Sequence, residues 1–578
     1  MEAFSKWLES DKFTAKEHAE LLELSNKQKE YNFGKTLEFG TAGMRGLIGM
    51  GTNMMNRHMV NWATQALANF IKTNKGATER GVVISYDTRR QSKEFAESCA
   101  IVLASNGIKT YLYSSVHPVP MLSYAVRTLK TFAGIMITAS HNPKEYNGYK
   151  VYGEDGAQMS PEATKNIVNA MAKIGDATSN DILFDPQQLK KVKKVPKWVD
   201  NSYYRTLKKL SLSKKEVRKV GKTIKLVYTP VHGSGYVPVT TILKKLGIKA
   251  TVVTEQANPD TEFSTVKVPN PEYAETLSIA IEKAKEIGAD VVFGTDPDCD
   301  RLGVAIKDGE EFKALSGNQI GALLLDYILI RLKEKGKLNS SYFAVISFVT
   351  TSLAKAICDD YGIDLMETPV GFKYIGEKIK IYDDTGRRNF VFGFEESCGY
   401  LRGTHARDKD GVVASMLFAE MLCYYTFNAK SIKTRLEEIY LKYGYVVDKS
   451  VSVEYSGLNA MNEMSKVVAS MRKSTIKTIG KEKIKATRDY LSLTKKYTNG
   501  ETVKIDCDTA NAVYYELEGG GFVCLRPSGT EPKLKIYYSV SGEDEKTAQM
   551  RFEKLQKAFT ALLEKKEGKE NKTAPKDK

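Results

Sequence analysis

The chain has 578 residues, too many for a single hydrophobic core, so three to five domains are expected. Hydrophobic residues at 42% and charged residues at 27% are ordinary for a globular protein in water, and no stretch approaches the roughly 20 apolar residues that span a bilayer. The 86 basic against 70 acidic residues give a net charge of +16, which points to an anionic partner, either nucleic acid or a phosphorylated metabolite.

Much of that excess is dispersed lysine, as in KKVKK at 190–194, with no aromatic-interleaved basic stripe, so neither nucleic acid nor a membrane is the expected partner. The start, MEAFSKWLESDKF, lacks the apolar run of a secretory leader, and a cytoplasmic location is expected. Cys99, Cys299, Cys358, Cys398, Cys423, Cys507 and Cys524 are scattered without CxxC spacing. They read as reduced, mostly buried thiols, with no disulfide framework and no zinc site.

Along the chain, short apolar, β-branched runs recur, each followed by a helical pattern: VVISY (82–86), FAGIMIT (132–138), IKLVY (224–228), DVVFG (290–294), YFAVISF (342–348) and NFVFGF. Stretches such as EFAESCAIVLASNG and PEYAETLSIAIEKAKEIG read as amphipathic helices ending at glycine. Strands alternating with helices argue for α/β units with mainly parallel or mixed sheets, whose ligands sit on loops at the carboxyl ends of the strands. A polar, lysine-rich stretch at 186–220 separates the first region from one beginning at IKLVY, and a third begins after LSGNQIG, near 318. Beyond LKYGYVVDK the pattern changes to shorter strands and helices, expected as a smaller α+β domain. The expected division is 1–205, 206–317, 318–441 and 442–563, with 564–578 (EKKEGKENKTAPKDK) a disordered tail. No solenoid repeat is visible, but the three α/β units are candidates for structural relatives.

Four segments carry chemistry. Thr138-Ala139-Ser140-His141-Asn142-Pro143 follows a buried strand, so Ser140 is presented on a loop beside a histidine able to take part in proton transfer, and Asn-Pro holds a bend. A helix-capping serine beside a surface histidine fits the same residues. Gly294-Thr295-Asp296-Pro297-Asp298-Cys299-Asp300-Arg301 also follows a strand; three alternating carboxylates on extended backbone would converge on one point and suit Mg²⁺, and Arg301 could clamp a phosphoryl group. In Gly393-Phe394-Glu395-Glu396-Ser397-Cys398-Gly399, carboxylate and hydroxyl suit vicinal sugar hydroxyls, and a polar turn looks the same. Arg526-Pro527-Ser528-Gly529-Thr530-Glu531-Pro532-Lys533 reads either as a phosphate cradle or as a plain turn.

Taken in order, TASHNPKEYNGYKVY, GTDPDCDRLG, GFEESCGY and RPSGTEPKLKIY resemble the α-D-phosphohexomutase family. With EFGTAGMRGLIGMG near the start they are most similar to its bacterial α-phosphoglucomutase branch, over about residues 30 to 545. The resemblance implies three consecutive α/β domains and a smaller C-terminal α+β domain around a central cleft, with one motif in each. It implies that Ser140 is the phosphoserine, that Asp296, Asp298 and Asp300 hold Mg²⁺ with the Ser140 phosphate, and that Glu395 and Ser397 read the sugar. Arg526, Ser528, Gly529 and Thr530 match the loop for the non-reacting phosphate, and Arg45, Lys150, Arg301 and Lys409 match basic residues of the cleft. His141 and Lys409 are the candidates for general acid and base.

The implied reaction is phosphoryl transfer between two hydroxyls of a hexose, through a glucose 1,6-bisphosphate intermediate and activator, by a monomer or weak homodimer. One departure stands out. Branch members read T-x-T-G-[FW]-K at the specificity loop, whereas this chain reads Thr368-Pro369-Val370-Gly371-Phe372-Lys373, and Val370 cannot supply the hydroxyl. Phosphopentomutase, phosphomannomutase and a non-catalytic sugar-phosphate-binding protein are the alternative readings.

Overall fold

Five consecutive buried residues, Val82–Tyr86, and five more, Ala133–Ile137, form adjacent parallel strands at the centre of a six-stranded sheet. Runs buried on both faces are what a sheet covered by helices on each side requires. The computed structural model describes residues 2–40, 43–455, 460–528 and 533–566. Gly529, Thr530 and residues 567–578 therefore lie outside the described residues; within the expected tail, the final helix Glu545–Lys566 takes in residues 564–566.

The chain forms two compact units, one of residues 1–320 with 375–431 and one of residues 321–374 with 432–578. In the first, the six-stranded sheet runs 43–47, 146–153, 133–137, 82–86, 110–112, 193–194. Its first two steps are antiparallel and the rest parallel, so the sheet is mixed. A second sheet runs 311–315, 302–308, 291–295, 226–229, 250–252, with the same plan of two antiparallel steps followed by parallel ones. In both, a central buried strand enters a loop and returns as its own antiparallel neighbour. Strand Asn389–Glu395 does the same, turning back as Gly399–Leu401. This shared device supports the kinship of the three α/β units.

Several expected features differ. The stretch 186–220 is not a bare linker: it contains a sheet strand at 193–194 and helices Lys197–Lys209 and Lys214–Val220. Its lysines hide an apolar stripe, Val199, Tyr203, Tyr204 and Leu207, at helical spacing and buried. The boundary drawn after 205 falls inside that first helix. In PEYAETLSIAIEKAKEIG the α-helix begins only at Ser278, after a 3-10 turn at 274–277. Helix Gly411–Phe427 is apolar on every side and buried from 411 to 425, as a core helix must be. Among the described residues no single helix is long and apolar enough to cross a membrane.

In the second unit, strands Tyr342–Ser347 and Asp364–Thr368 pair in parallel. The C-terminal region is an antiparallel sheet ordered 445–454, 533–542, 521–527, 513–517, 482–489, 494–497, 502–504, with helices 460–473 and 545–566 on one face. Its longest strands have ten residues, not the short strands expected. Period-two alternation loads both faces: Val513, Tyr515, Val523 and Leu525 face the helices, whereas Tyr514, Phe522 and Cys524 join Phe348, Val349 and Tyr490 on the other side. Phe348 stacks on Tyr490 with ring centroids 3.9 Å apart. Six of the seven cysteines are buried, and Cys507 is half-buried.

Near the N-terminus, Glu17 binds Arg57 Nε at 2.6 Å and His58 Nε2 at 3.0 Å. Burial holds the His58 imidazole below its ordinary value of 6.5, although Glu17 pulls the other way. A lowered native value means that stability from neutral His58 is complete above pH 6.5 and is lost as the pH falls through the native value. The thermal midpoint should therefore drop on acidification from about pH 7.5 to about pH 5.5. In His58→Gln, which keeps a donor for Glu17 and cannot titrate, circular dichroism melts should show a smaller drop.

Candidate active site

Strand Ala133–Ile137 delivers the chain into the loop carrying Ser140. Thr138 donates its hydroxyl to Asp87 Oδ2 at 2.7 Å and accepts the Ser140 N–H at 2.8 Å. Ser140 takes a left-handed backbone, φ 52°, a conformation that costs a non-glycine residue about 1–2 kcal/mol. Arg89 holds it there: the buried guanidinium donates to the carbonyls of Ser140, Asn142, Pro143 and Tyr146. Asp87 in turn sits 3.4 Å from Arg89 Nε. Ser140 is thus no helix cap. Its Oγ donates to Asp296 Oδ2 at 2.8 Å and lies 3.2 Å from His141 Nδ1.

Asp296, Asp298 and Asp300 are buried, and one oxygen from each lies within 4.8 Å of the others. The backbone is not extended, as alternation had suggested. It is a turn: Cys299 N–H bonds Asp296 O at 2.9 Å with Cys299 at φ 49°, and Asp296 Oδ1 accepts the N–H groups of Asp300 (3.1 Å) and Arg301 (3.0 Å). The loop 229–235 braces it, because Ser234 donates both N–H and hydroxyl to Pro297 O at 2.8 Å. Gly233 permits this approach; a Cβ there would lie 2.6 Å from Pro297 Cα.

The carboxylates are only partly satisfied. Lys150 Nζ is 3.1 Å from Asp298 Oδ2 and Lys409 Nζ is 3.2 Å from Asp300 Oδ2, while Asp298 Oδ1 and Asp300 Oδ1 are buried without a hydrogen-bond partner. Burial, and then the charges of Asp298 and Asp300, push the Asp296 carboxyl well above the usual range. Burial and Asp298 also raise Asp300. Burial opposes ionisation of Asp298 too, but Lys150 overrides it and keeps that group below its ordinary value. Orphaned anionic oxygens among hard donors are a fit for a divalent cation of the magnesium type.

The cations are set by the same groups. Burial works against charge on Lys409, yet Asp300 and Asp408, each 3.2 Å away, hold it well above its ordinary value. Asp298 and Asp300 likewise keep Lys150 charged against burial. Arg301 is ion-paired to Glu272, so a phosphoryl clamp would have to exchange that partner. Burial, then Arg301, keeps the His141 ring well below its usual value and hence neutral at pH 7. Arg45 Nη1 reaches Asn142 Oδ1 at 3.0 Å.

Glu395 is buried at the end of its strand, and Ser397 is half-buried in the turn that follows. That turn is fastened behind the metal-type loop by Leu302 N–H to Cys398 O at 3.1 Å. Gly399 makes room for Lys409, since a Cβ would lie 2.1 Å from Lys409 Cδ. Thus Ser140, His141, Asp296, Asp298, Asp300, Arg301, Lys150 and Lys409 are joined by direct contacts, with Arg45 and the turn 395–399 attached to them.

The second unit carries the other expected residues. Gly371 has φ 126° at the start of helix Phe372–Thr385, and Val370 packs on the cluster containing Phe348, Tyr490 and Tyr514. Arg526 ends a strand beside Ser528, whose N–H bonds Lys533 O at 2.8 Å. Sequence reading missed Asp87, Arg89, Glu272, Ser234 and Asp408. The available signal was position: Asp87-Thr88-Arg89 and Thr229–Gly235 each follow a buried strand, as the chosen motifs do.

Overpacking at Gly399 should cost about 1–3 kcal/mol. Gly399→Ala should lower the urea midpoint accordingly, and an unchanged midpoint would mean that Lys409 is not confined as described.

Comparison with known proteins places these features in context. Models for phosphoglucomutase/phosphomannomutase α/β/α domains I, II and III match residues 36–178, 201–309 and 316–443, and the model for the C-terminal domain matches 480–557. The chain is 35% identical over 523 residues to the phosphoglucomutase of Staphylococcus aureus strain N315, covering 90% of this chain and 92% of that protein. For strain MRSA252 the figures are 36% over 524 residues, 90% and 92%. In fold it resembles the crystal structure of a Burkholderia thailandensis phosphoglucomutase/phosphomannomutase family protein (TM-score 0.67, 18% identity, 92% of this chain and 98% of that one). It also resembles the open form of the Paramecium phosphoprotein parafusin, a phosphoglucomutase (TM-score 0.66, 17% identity, 92% and 96%).

Proposed function

The chain belongs to the phosphoglucomutase/phosphomannomutase family, and from that premise we propose that it interconverts glucose 1-phosphate and glucose 6-phosphate through phosphorylated Ser140 and a bound glucose 1,6-bisphosphate. One observation carries the reading: a serine hydroxyl on a rigidly held turn lies 2.8 Å from the first of three convergent carboxylates. A four-domain division, with one loop of the site in each domain, accompanies it. The enzyme would act in the cytoplasm on small sugar phosphates, as a monomer or weak homodimer.

In the first half-reaction the phosphoryl group leaves Ser140 Oγ for the free hydroxyl of glucose 1-phosphate, and the proton of that hydroxyl passes in exchange to Ser140 Oγ. The bisphosphate then turns over, and Ser140 Oγ attacks the other phosphate, its proton going to the departing sugar oxygen as the 6-phosphate is released. Asp296, Asp298 and Asp300 would hold Mg²⁺, which when bound neutralises charge on the phosphoryl oxygens. Neutral His141, with Nδ1 3.2 Å from Oγ, is placed to accept the serine proton. Lys409, held charged, acts as a fixed cation, with Arg301 beside it. Glu395 and Ser397 read the sugar hydroxyls, Arg526, Ser528, Gly529 and Thr530 take the idle phosphate, and Arg45 and Lys150 favour the anionic substrate. Gly371 lets the specificity loop turn.

Ser140→Ala should abolish turnover with the melting profile unchanged, and intact-protein mass spectra should show one phosphate on the wild type and none on the variant. Asp298→Asn, which trades an anionic ligand for a neutral amide, should lose its magnesium response. A coupled assay with bisphosphate activator should rank glucose 1-phosphate above mannose 1-phosphate and ribose 1-phosphate. A reversed ranking would move the assignment to a phosphomannomutase or phosphopentomutase, with Val370 as the first residue to examine.

A further inference from the structure

The loop 229–235, which braces the aspartate turn through Ser234, is itself tied to the segment 256–265. Thr229 donates its hydroxyl to Gln256 Oε1 at 2.6 Å and accepts the Val231 N–H at 3.0 Å. The His232 N–H bonds Gln256 O at 2.9 Å. The His232 ring is fixed at both nitrogens. Nδ1 lies 2.9 Å from Asn258 O, which can only accept, so Nδ1 donates; Nε2 then accepts the Thr265 hydroxyl at 2.8 Å. Thr265 Oγ1 in turn accepts from Gln256 Nε2 at 3.0 Å.

Phe263 connects that network to the Ser140 loop. Its ring is buried, stands edge-on to His232 with centroids 6.4 Å apart, and has the Arg89 guanidinium over it, 5.2 Å from the centroid. Arg89 gives its N–H edges to the four carbonyls of the Ser140 loop, which leaves a flat face for the ring. Burial opposes the charge of Arg89, so a ring face there counts for more than it would in water. Phe263 holds its place with a left-handed backbone, φ 45°, kept by a turn in which Asp260 accepts the Glu262 and Ser264 N–H groups at 2.9 Å. Val231 and His232 are left-handed too, at φ 47° and 59°. Among the described residues ten that are not glycine have positive φ, and six of them are these three with Ser140, Cys299 and Cys398 of the site loops. Backbone strain gathered in this way marks groups whose positions matter.

Ser140 and Asp296 also touch directly, through the serine hydroxyl. That bond lasts only while Oγ carries a proton, and a phosphoryl group on Oγ removes it. A register of the two loops that holds in both states needs a tie that does not pass through Oγ. Resting on the mutase reading above, we propose that Phe263 is a positioning residue for phosphoryl transfer: its ring couples the Arg89-held Ser140 loop to the loop that braces Asp296. At the surface Lys144 and Glu262, 2.9 Å apart, join the same two segments a second time.

The test pairs steady-state kinetics with hydrogen–deuterium exchange on the full chain. Phe263→Leu keeps apolar bulk and loses the ring face. It should lower kcat on the sugar phosphate that the wild type prefers by about tenfold. KM should stay within about twofold, because the residues that hold substrate are untouched. Peptides covering 138–147 should exchange faster, whereas strand Leu226–Thr229 should not change. A role limited to core packing would lower the melting midpoint without this split between kcat and KM. If Phe263→Leu does not fold, Thr265→Val, which removes the hydroxyl shared by His232 and Gln256, takes its place with the same expectations. Because exchange needs no turnover, the two failures separate. A wild type inactive on sugar phosphates overturns the mutase reading, while unchanged kcat or unchanged exchange at 138–147 in a folded variant overturns the role of Phe263.

Discussion

Three carboxylates buried within 4.8 Å of one another are the constraint around which the first unit is organised. Left alone, like charges so close in a poorly solvated place cannot all ionise. The chain answers with cations delivered from elsewhere: Lys150 from the strand after the serine loop, and Lys409 from the segment before a buried helix. Each lysine is itself half-buried, and the aspartates hold its charge against that burial. The arrangement is mutual, and removing either side leaves the other with an uncompensated buried charge. The surviving orphaned oxygens define where a divalent cation and a phosphoryl group would enter.

The same geometry recurs three times: a buried strand runs to its carboxyl end, makes a tight loop and returns as an antiparallel neighbour. A loop tied at both ends by sheet hydrogen bonds is stiffer than one leading into a helix, and phosphoryl transfer gains chiefly from fixed positions. The serine, the aspartates and the Glu395–Ser397 pair therefore each sit on the most constrained kind of loop the architecture provides.

Much of this was legible in the residues. The strands at 82–86 and 342–347 fall almost where the apolar runs place them, and the aspartate spacing announced a metal-type loop. What could not be read was how the aspartates converge, because a turn closed by backbone bonds to Asp296 leaves no periodic trace. The helix at 197–209 was hidden because its four buried residues are scattered among lysines, an arginine and other polar residues. Arg89 went unnoticed for a different reason: its partners are carbonyl oxygens about 50 residues away, and main-chain atoms carry no sequence signature. Val370 was visible as a departure, but only the packing on Phe348 and Tyr490 gives it a positive role, as an anchor for its loop.

The Arg89 contact has a further consequence. Its fork grips the backbone of Ser140, Asn142, Pro143 and Tyr146, not their side chains. The shape of the Ser140 loop is thereby decoupled from the identity of most residues in it. An exposed position such as Glu145, whose side chain takes no part in that grip, can change while the serine stays where it is. Much of the loop's shape is thus held by an arginine outside the motif, which leaves the motif itself room to evolve.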